Sequence, residues 1–507
     1  MISISKSALL VAAALSGLSQ AANYTEWMAS SFMTKNISLS RNYANGVLYT
    51  GMEFAYNKTK DERYFTYIKS QVDAVVDPSG GLIDYPGSTV SLDDIRIGLN
   101  LLWLWTKTGD DRYKIAADTL REQLNFTPRN KAGGFWHRKP TYPNQMWLDG
   151  IYMAENFYAQ YTAWFQPNNA TAWDDIMLQF DLIEEHCRLK TGLLVHGYDE
   201  SKVAVWADPV TGGAPHVWNR AVGWYFMSLV DILDYLPRSH PGYEKNLRRF
   251  QSLAKALKKT QDKSGGWWLI MDGEYPRDPR NYIESSGTAM FAYGLLKGVR
   301  KGYIRSKDYL APATKAYNLM VDKFVETNAD GTLNWLGTVQ VGSLSSNGTF
   351  EYYISVPVVQ DDYKGAGPFI FNPDEDPSAP PKYGPDRTHR YVDDSSVRFA
   401  PNRQLMLYAP SSIAIVCVPS NNHSNGQRHM PSGHTRHHRR IAHSQALVRG
   451  ITFFCAVLVV LLVMRMFVLS LIHASRRRRD IERQIQEASQ GQHDLTVYED
   501  NNELNEL

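Results

Sequence analysis

The feature that most constrains this fold is a six-residue turn that occurs twice, 49 positions apart: Thr59-Lys60-Asp61-Glu62-Arg63-Tyr64 and Thr108-Gly109-Asp110-Asp111-Arg112-Tyr113. Each copy ends one apolar-periodic run and begins the next, so the repeating unit is a helix hairpin. From about residue 25 to 330, apolar residues recur at three-to-four spacing in runs such as 47–56, 64–76, 95–106, 113–124, 151–165, 172–187, 221–236 and 247–260. Few segments read as strands. The expected class is all-α. Six such hairpins would close into an (α/α)6 toroid whose inner helix ends converge on a central cleft; an open superhelical solenoid shares the same periodicity.

At 507 residues the chain is longer than one ordinary domain, so a large core with appendages is expected. Lys and Arg number 54 against 52 Asp and Glu. That balance provides no bulk field for nucleic acid. Residues 1–21 read as a secretory leader, with Lys6 its one charge, an apolar stretch from Ala8 to Leu15, and small residues at Ser19-Gln20-Ala21. Glycosylation sequons stand at Asn23, Asn36, Asn57, Asn125, Asn169, Asn347 and Asn422, which suits a secreted eukaryotic chain. The three cysteines, Cys187, Cys417 and Cys455, are too few to frame the fold.

The periodic pattern occupies 22–371, and a Pro-rich then basic segment follows over 372–448. Its histidines between His429 and His443 read as part of a linker more readily than as a metal site. Residues 451–472 are apolar apart from Arg465, long enough for a bilayer span placed at 449–473. Arg465 would cost roughly 2.5–3.5 kcal/mol at the membrane centre, but it lies past the middle and can snorkel toward the arginines at 476–479. Those arginines favour a cytosolic tail, 474–507. The expectation is a secretory-pathway, single-pass protein with a lumenal or extracellular N-terminal domain.

Chemistry concentrates in a few short clusters. In Gln145-Met146-Trp147-Leu148-Asp149-Gly150 a carboxylate sits in an apolar run. Such burial can raise a carboxyl pKa and make a proton donor near neutral pH. Equally, Asp149 can be a helix-start residue held by backbone amides and the dipole. Around it stand Leu92-Asp93-Asp94-Ile95, Gly133-Gly134-Phe135-Trp136-His137, Val195-His196-Gly197-Tyr198, Trp218-Asn219-Arg220-Ala221-Val222-Gly223-Trp224 and Glu284-Ser285-Ser286-Gly287. Singly, most of these are ordinary caps or core residues. Together they offer an acid, a second carboxylate, two imidazoles, an arginine and stacking indoles, a set suited to an acidic sugar.

These same motifs, with Tyr352-Tyr353-Ile354-Ser355 and Lys364-Gly365-Ala366-Gly367-Pro368-Phe369, resemble the unsaturated rhamnogalacturonyl hydrolases of glycoside hydrolase family 105. Those are related to the unsaturated glucuronyl hydrolases of family 88. The resemblance runs through nearly all of 25–370 and implies an (α/α)6 barrel, no cofactor and no metal. It implies an unsaturated oligosaccharide substrate from pectin, whose terminal C4=C5 bond is hydrated. Asp149 would act as general acid and then base, and Asp93 would position the ring or water and raise the Asp149 pKa by like charge. Tyr43, His137, His196, Trp218, Arg220 and Trp224 match pocket positions, with Arg220 the candidate partner of the substrate carboxylate. The rival expectations are an unsaturated glucuronyl hydrolase and a membrane-tethered carbohydrate-binding pseudoenzyme. One departure stands out. The final apolar helix is expected to stop where Phe369-Ile370-Phe371 meets Asn372-Pro373, leaving a groove between the first and last hairpins.

Overall fold

The computed structural model describes residues 23–85 and 90–371. The repeated turn does what its sequence requires. Helix α1 spans Tyr24–Thr34, α2 Tyr43–Thr59 and α3 Glu62–Asp73; after the rim strand β1 (Val90–Ser91) and a 3-10 turn at Leu92–Ile95 come α4 (Gly98–Thr108) and α5 (Asp111–Phe126). Lys60 ends α2 and Gly109 ends α4, both in the left-handed region at φ 59° and 67°. The Asp61 and Asp110 carboxylates then accept from the amides of Arg63 and Arg112 and cap α3 and α5. Caps of this kind contribute about 1 kcal/mol each. Both copies also hold the same side-chain pair, Arg63 on Asp61 and Arg112 on Asp110.

Short strands β2 (Arg138–Lys139) and β3 (Gln145–Trp147) lead into helix α6 (Leu148–Gly150), a π-helical turn at Ile151–Glu155, and α7 (Asn156–Phe165). Next come α8 (Ala170–Cys187), β4 (Gly197–Asp199), α9 (Asn219–Asp231), α10 (Pro241–Thr260), α11 (Ser285–Arg300) and α12 (Ser306–Phe324). Strands β5 (Val325–Thr327), β6 (Leu333–Trp335) and β7 (Thr338–Val339) precede α13 (Phe350–Ser355), β8 (Val358–Val359) and α14 (Tyr363–Phe371). Among the described residues the strands pair only as antiparallel ladders of two or three residues.

Inner segments pack in a closed ring: α2 on α4, α4 on α7, the α6 and π-helical segment on α9, α9 on α11, α11 on α14, and α14 back on α2. The other long helices lie outside, each against the inner partner that precedes or follows it. The solenoid alternative therefore gives way to a closed barrel. The two ends of the domain make the sixth pair, because α1 covers α14. Lys35 Nζ sits 2.9 Å from the Asp361 carboxylate, and Trp27 Nε1 donates to the Gly331 carbonyl.

The described part of the last helix is buried over residues 364–371 and packs on α2, so the expected groove between the first and last hairpins is filled there. Close approach makes this packing possible. A Cβ on Gly367 would lie 2.7 Å from Val47 Cγ1, and one on Gly51 would lie 3.2 Å from the Gly367 carbonyl oxygen. Bare backbone on both helices lets α14 sink against α2, and Phe371 then stacks on Phe54 at 5.3 Å. The predicted run 95–106 also starts differently, since Ile95 belongs to the 3-10 turn that presents Asp93. Among the described residues no helix is long and apolar enough to cross a membrane. The predicted leader at 1–21, linker at 372–448, span at 449–473 and tail at 474–507 lie outside the described residues.

Candidate active site

The inner helices begin at one rim, and their first residues supply the site: Tyr43 on α2, Asp93 before α4, Asp149 in α6, Arg220 on α9, Glu284 at the α11 cap and Lys364 on α14. Backbone hydrogen bonds lock these starts together. Leu92 N donates to His137 O, His137 N to Gln145 O, Leu148 N to His196 O, and His196 N to His216 O. Strand β3 pairs with β4 in the register Met146↔Tyr198 and Trp147↔Gly197. A Cβ on Gly197 would lie 2.6 Å from the Met146 carbonyl oxygen, so glycine is required for this approach. The positive ends of several helix dipoles thus face one cleft, which suits carboxylates and an acidic ligand.

Asp149 and His196 meet directly. His196 Nε2 lies 3.0 Å from Asp149 Oδ2, with the imidazole fully buried and the carboxylate side chain 15 % exposed. The other ring nitrogen, Nδ1, lies 2.7 Å from the Tyr353 hydroxyl. Asp93 sits beside them: its Oδ2 accepts from Arg138 Nη2 at 2.6 Å, and its Oδ1 is 3.7 Å from His137 Nε2. His137 stacks on Trp147, ring centroids 4.3 Å apart. The Tyr43 phenol is pushed up by burial and then by the Asp93 charge, with Arg220 opposing and Asp149 and Asp362 adding to it. Tyr43 thus stays protonated, within electrostatic reach of both carboxylates.

The electrostatics overturn one expectation. Burial works to raise the Asp149 pKa, but the electrostatic attraction of the His196 ring, its hydrogen bond, and the weaker attraction of the His137 ring outweigh it and hold the carboxyl below its ordinary value. The net shift is therefore downward, opposite to the expected elevation. The His137 pKa is lowered, chiefly by burial, against the opposing pull of Asp93 and Asp149.

Arg220 is tied to the backbone beyond α11. Its Nη1 donates to the Val339 carbonyl at 2.6 Å and its Nη2 to the Gln340 carbonyl at 2.8 Å. Nη1 is also 3.3 Å from Ser286 Oγ and 3.8 Å from Glu284 Oε1. These bonds tie α9 to β7, while Arg220 Nε has no partner among the described residues. Trp218 lies under Arg220 and stacks on Tyr353, while Trp224 stacks on Tyr152 and meets Tyr43 edge-on. Both indoles are buried, so they shape the wall rather than present open stacking faces.

Three features escaped the sequence reading as site parts. Tyr353 belongs to a segment without periodicity, and nothing in its local pattern points to His196. Arg138 follows His137 directly, and a cation beside a candidate imidazole was the available signal. Lys364 pairs with Asp362 at 2.7 Å next to Arg220; burial first, and then that arginine, lower its ammonium pKa against the pull of Asp362. Among the described residues no group of three or more His, Cys, Asp or Glu side chains could hold a metal ion.

Comparison with known proteins agrees with this geometry. Residues 19–375 match the family described as Glycosyl Hydrolase Family 88. A glycoside hydrolase from family 105 of C. acetobutylicum superposes with a TM-score of 0.66 at 36% identity, over 69% of this chain and 98% of that one. The unsaturated rhamnogalacturonyl hydrolase YesR of Bacillus subtilis is 26% identical over 323 residues, covering 59% of this chain and 84% of its own. The unsaturated glucuronyl hydrolase of Bacillus sp. GL1, at 13% identity and a TM-score of 0.54, shares the fold over 68% of this chain and 93% of that one. With the family matched over most of the chain's length, the chain belongs to glycosyl hydrolase family 88 and is a glycoside hydrolase.

Proposed function

We propose that this enzyme hydrates the C4=C5 double bond of a terminal unsaturated galacturonic acid, releasing it from rhamnose in pectin-derived oligosaccharides. The Asp149–His196 contact carries the reading. It gives a carboxyl at the cleft whose Oδ2 is held by an imidazole. Asp149 delivers its proton to C4, and positive charge develops at C5, shared with the ring oxygen. Water then adds to C5 while the Asp149 carboxylate takes up the water proton, which restores the acid. The hemiketal opens to a C5 ketone, and collapse of the hemiacetal left at C1 releases the rest of the saccharide as an alcohol. Asp93, clamped by Arg138, accepts from ring hydroxyls or orients the water. The Tyr43 hydroxyl, kept protonated, supplies a donor toward the bound ring.

The relative named for rhamnogalacturonyl substrates supports galacturonic acid on rhamnose over glucuronyl substrates. The leader at 1–21 and the apolar segment at 449–473 support placing this domain outside the cytosol on a membrane anchor. The test of function is the ultraviolet absorbance of the conjugated double bond. Purified protein is mixed with unsaturated galacturonyl-rhamnose disaccharide and, separately, with its unsaturated glucuronyl counterpart. The expected result is loss of absorbance, faster with the first. No loss with either, from demonstrably folded protein, would leave the carbohydrate-binding reading in its place.

A further inference from the structure

We infer that Tyr353 is a positioning residue: its hydroxyl fixes His196 in the Nε2–H tautomer and so determines which oxygen of Asp149 can carry the proton. The inference rests on the proposed role of Asp149 and adds a residue from the far end of the domain to it.

Among the described residues, His196 Nδ1 is the one hydrogen-bond partner of the Tyr353 hydroxyl, at 2.7 Å. Tyr353 is 1% exposed and His196 is 0% exposed, so water does not compete for either atom. A phenol with one buried partner has two choices. It can donate its proton to Nδ1, or it can accept a proton from Nδ1 and leave its own O–H buried without an acceptor. The second choice costs the desolvation of a polar hydrogen. The first is therefore preferred, and it makes Nδ1 a lone-pair acceptor. A neutral imidazole with its Nδ1 lone pair occupied carries its proton on Nε2. Nε2–H then donates to Asp149 Oδ2, 3.0 Å away.

The consequence falls on Asp149. With Oδ2 occupied as an acceptor, an added proton goes to Oδ1, the oxygen not held by His196. Without the Tyr353 hydroxyl, the imidazole could adopt the Nδ1–H tautomer and draw the carboxyl proton onto Oδ2, away from a ligand. The ring of Tyr353 also stacks on Trp218, centroids 5.8 Å apart, so removing the oxygen alone leaves the packing in place. The other titratable groups near this relay are His137, Tyr43, Tyr352 and Asp272, with Asp93 and Arg138 beyond His137. All of them remain in a Tyr353→Phe variant.

Two measurements on the full-length protein test this. The first is the nitrogen spectrum of 15N-histidine-labelled protein without substrate, with His196 assigned by difference from His196→Asn. Wild type should show a protonated Nε2 and an unprotonated Nδ1, and Tyr353→Phe should lose that pattern. The second is the pH profile of turnover. Tyr353→Phe should lower the plateau of kcat about tenfold with little change in KM, as one directed hydrogen bond is lost. Its alkaline limb should move to higher pH, because Nε2 can now accept from a protonated carboxyl. A protonated Nδ1 in wild type, or a Tyr353→Phe variant with unchanged spectrum and pH profile, overturns the proposal. The tautomer is read without substrate, so inactivity on unsaturated saccharides would refute the proposed function and leave this result standing on its own.

Discussion

Asp149 Oδ2 lies 3.0 Å from His196 Nε2, and this contact, rather than the apolar surroundings of the carboxylate, sets the direction of its pKa shift. Two effects of opposite sign act on the same group. Burial disfavours the charged carboxylate; a buried donor and the nearby imidazoles favour it, and they prevail.

The sign has a kinetic consequence. The free enzyme must hold Asp149 protonated to act as an acid, and a lowered pKa makes that form scarce at neutral pH. The value of kcat/KM should therefore rise as pH falls from neutral toward the ordinary carboxylate range. His196→Asn removes the lowering influence, so the alkaline limb should shift to higher pH while maximal turnover drops. A pH–rate profile of both proteins checks this, and an unshifted limb in the variant would contradict the assignment.

Asp149→Asn removes the transferable proton while preserving shape and one acceptor oxygen. Turnover should fall by about 10³-fold or more, general acid–base catalysis being typically worth 10²–10⁴. Binding measured by calorimetry with the unsaturated disaccharide should persist. Near-normal turnover would move the acid to another residue.

Arg138 holds Asp93 at 2.6 Å and stands about one-third exposed at the rim. Arg138→Met keeps the stem and removes the clamp. The expected outcome is a drop in kcat/KM of roughly tenfold, from a charge-assisted hydrogen bond of about 1.5–3 kcal/mol discounted for its partial exposure. The folded state should be unchanged by circular dichroism.

Glu53 lies on α2 ten residues beyond Tyr43, buried, with Asn100 Nδ2 donating to it at 2.6 Å. Burial pushes its pKa up to about 8, against the hydrogen bond from Asn100 and the charges of Arg96 and Lys107. The native state therefore keeps a proton that the unfolded chain releases near pH 4.5. Stability from this group is present below that pH and is lost as pH rises toward 8. Glu53→Gln, which retains an acceptor for Asn100, should raise the Tm at pH 8 and change it little at pH 4.5. Equal shifts at both pH values in thermal scans would refute this.

Much of this was legible in the sequence. The repeated Thr-x-Asp turn specified hairpins, and its αL residue, Asp cap and Arg–Asp pair recur in both copies. Tyr43, Asp93 and Asp149 come together because each lies at the start of an inner helix, a position that local motifs reveal, and backbone bonds from Leu92 and Leu148 bring His137 and His196 to them. Partnerships across the barrel were not legible. Nothing near Arg220 in sequence reveals that Val339 and Gln340 occupy its guanidinium, and nothing near His196 points to Tyr353, 157 positions away. The packing of α14 on α2 was hidden for a related reason, because the fit of Gly367 against Val47 is a tertiary fact.

The central claim is that Asp149 protonates C4 of an unsaturated uronic acid, and solvent deuterium tests it most directly. The reaction is run in D2O with the unsaturated galacturonyl-rhamnose disaccharide, and the released uronic acid is examined by proton NMR. The account expects one deuteron at C4, loss of the vinyl signal, and neither change with Asp149→Asn. Release of rhamnose with the double bond intact and no deuterium at C4 would contradict it, because that outcome requires direct cleavage of the glycosidic bond.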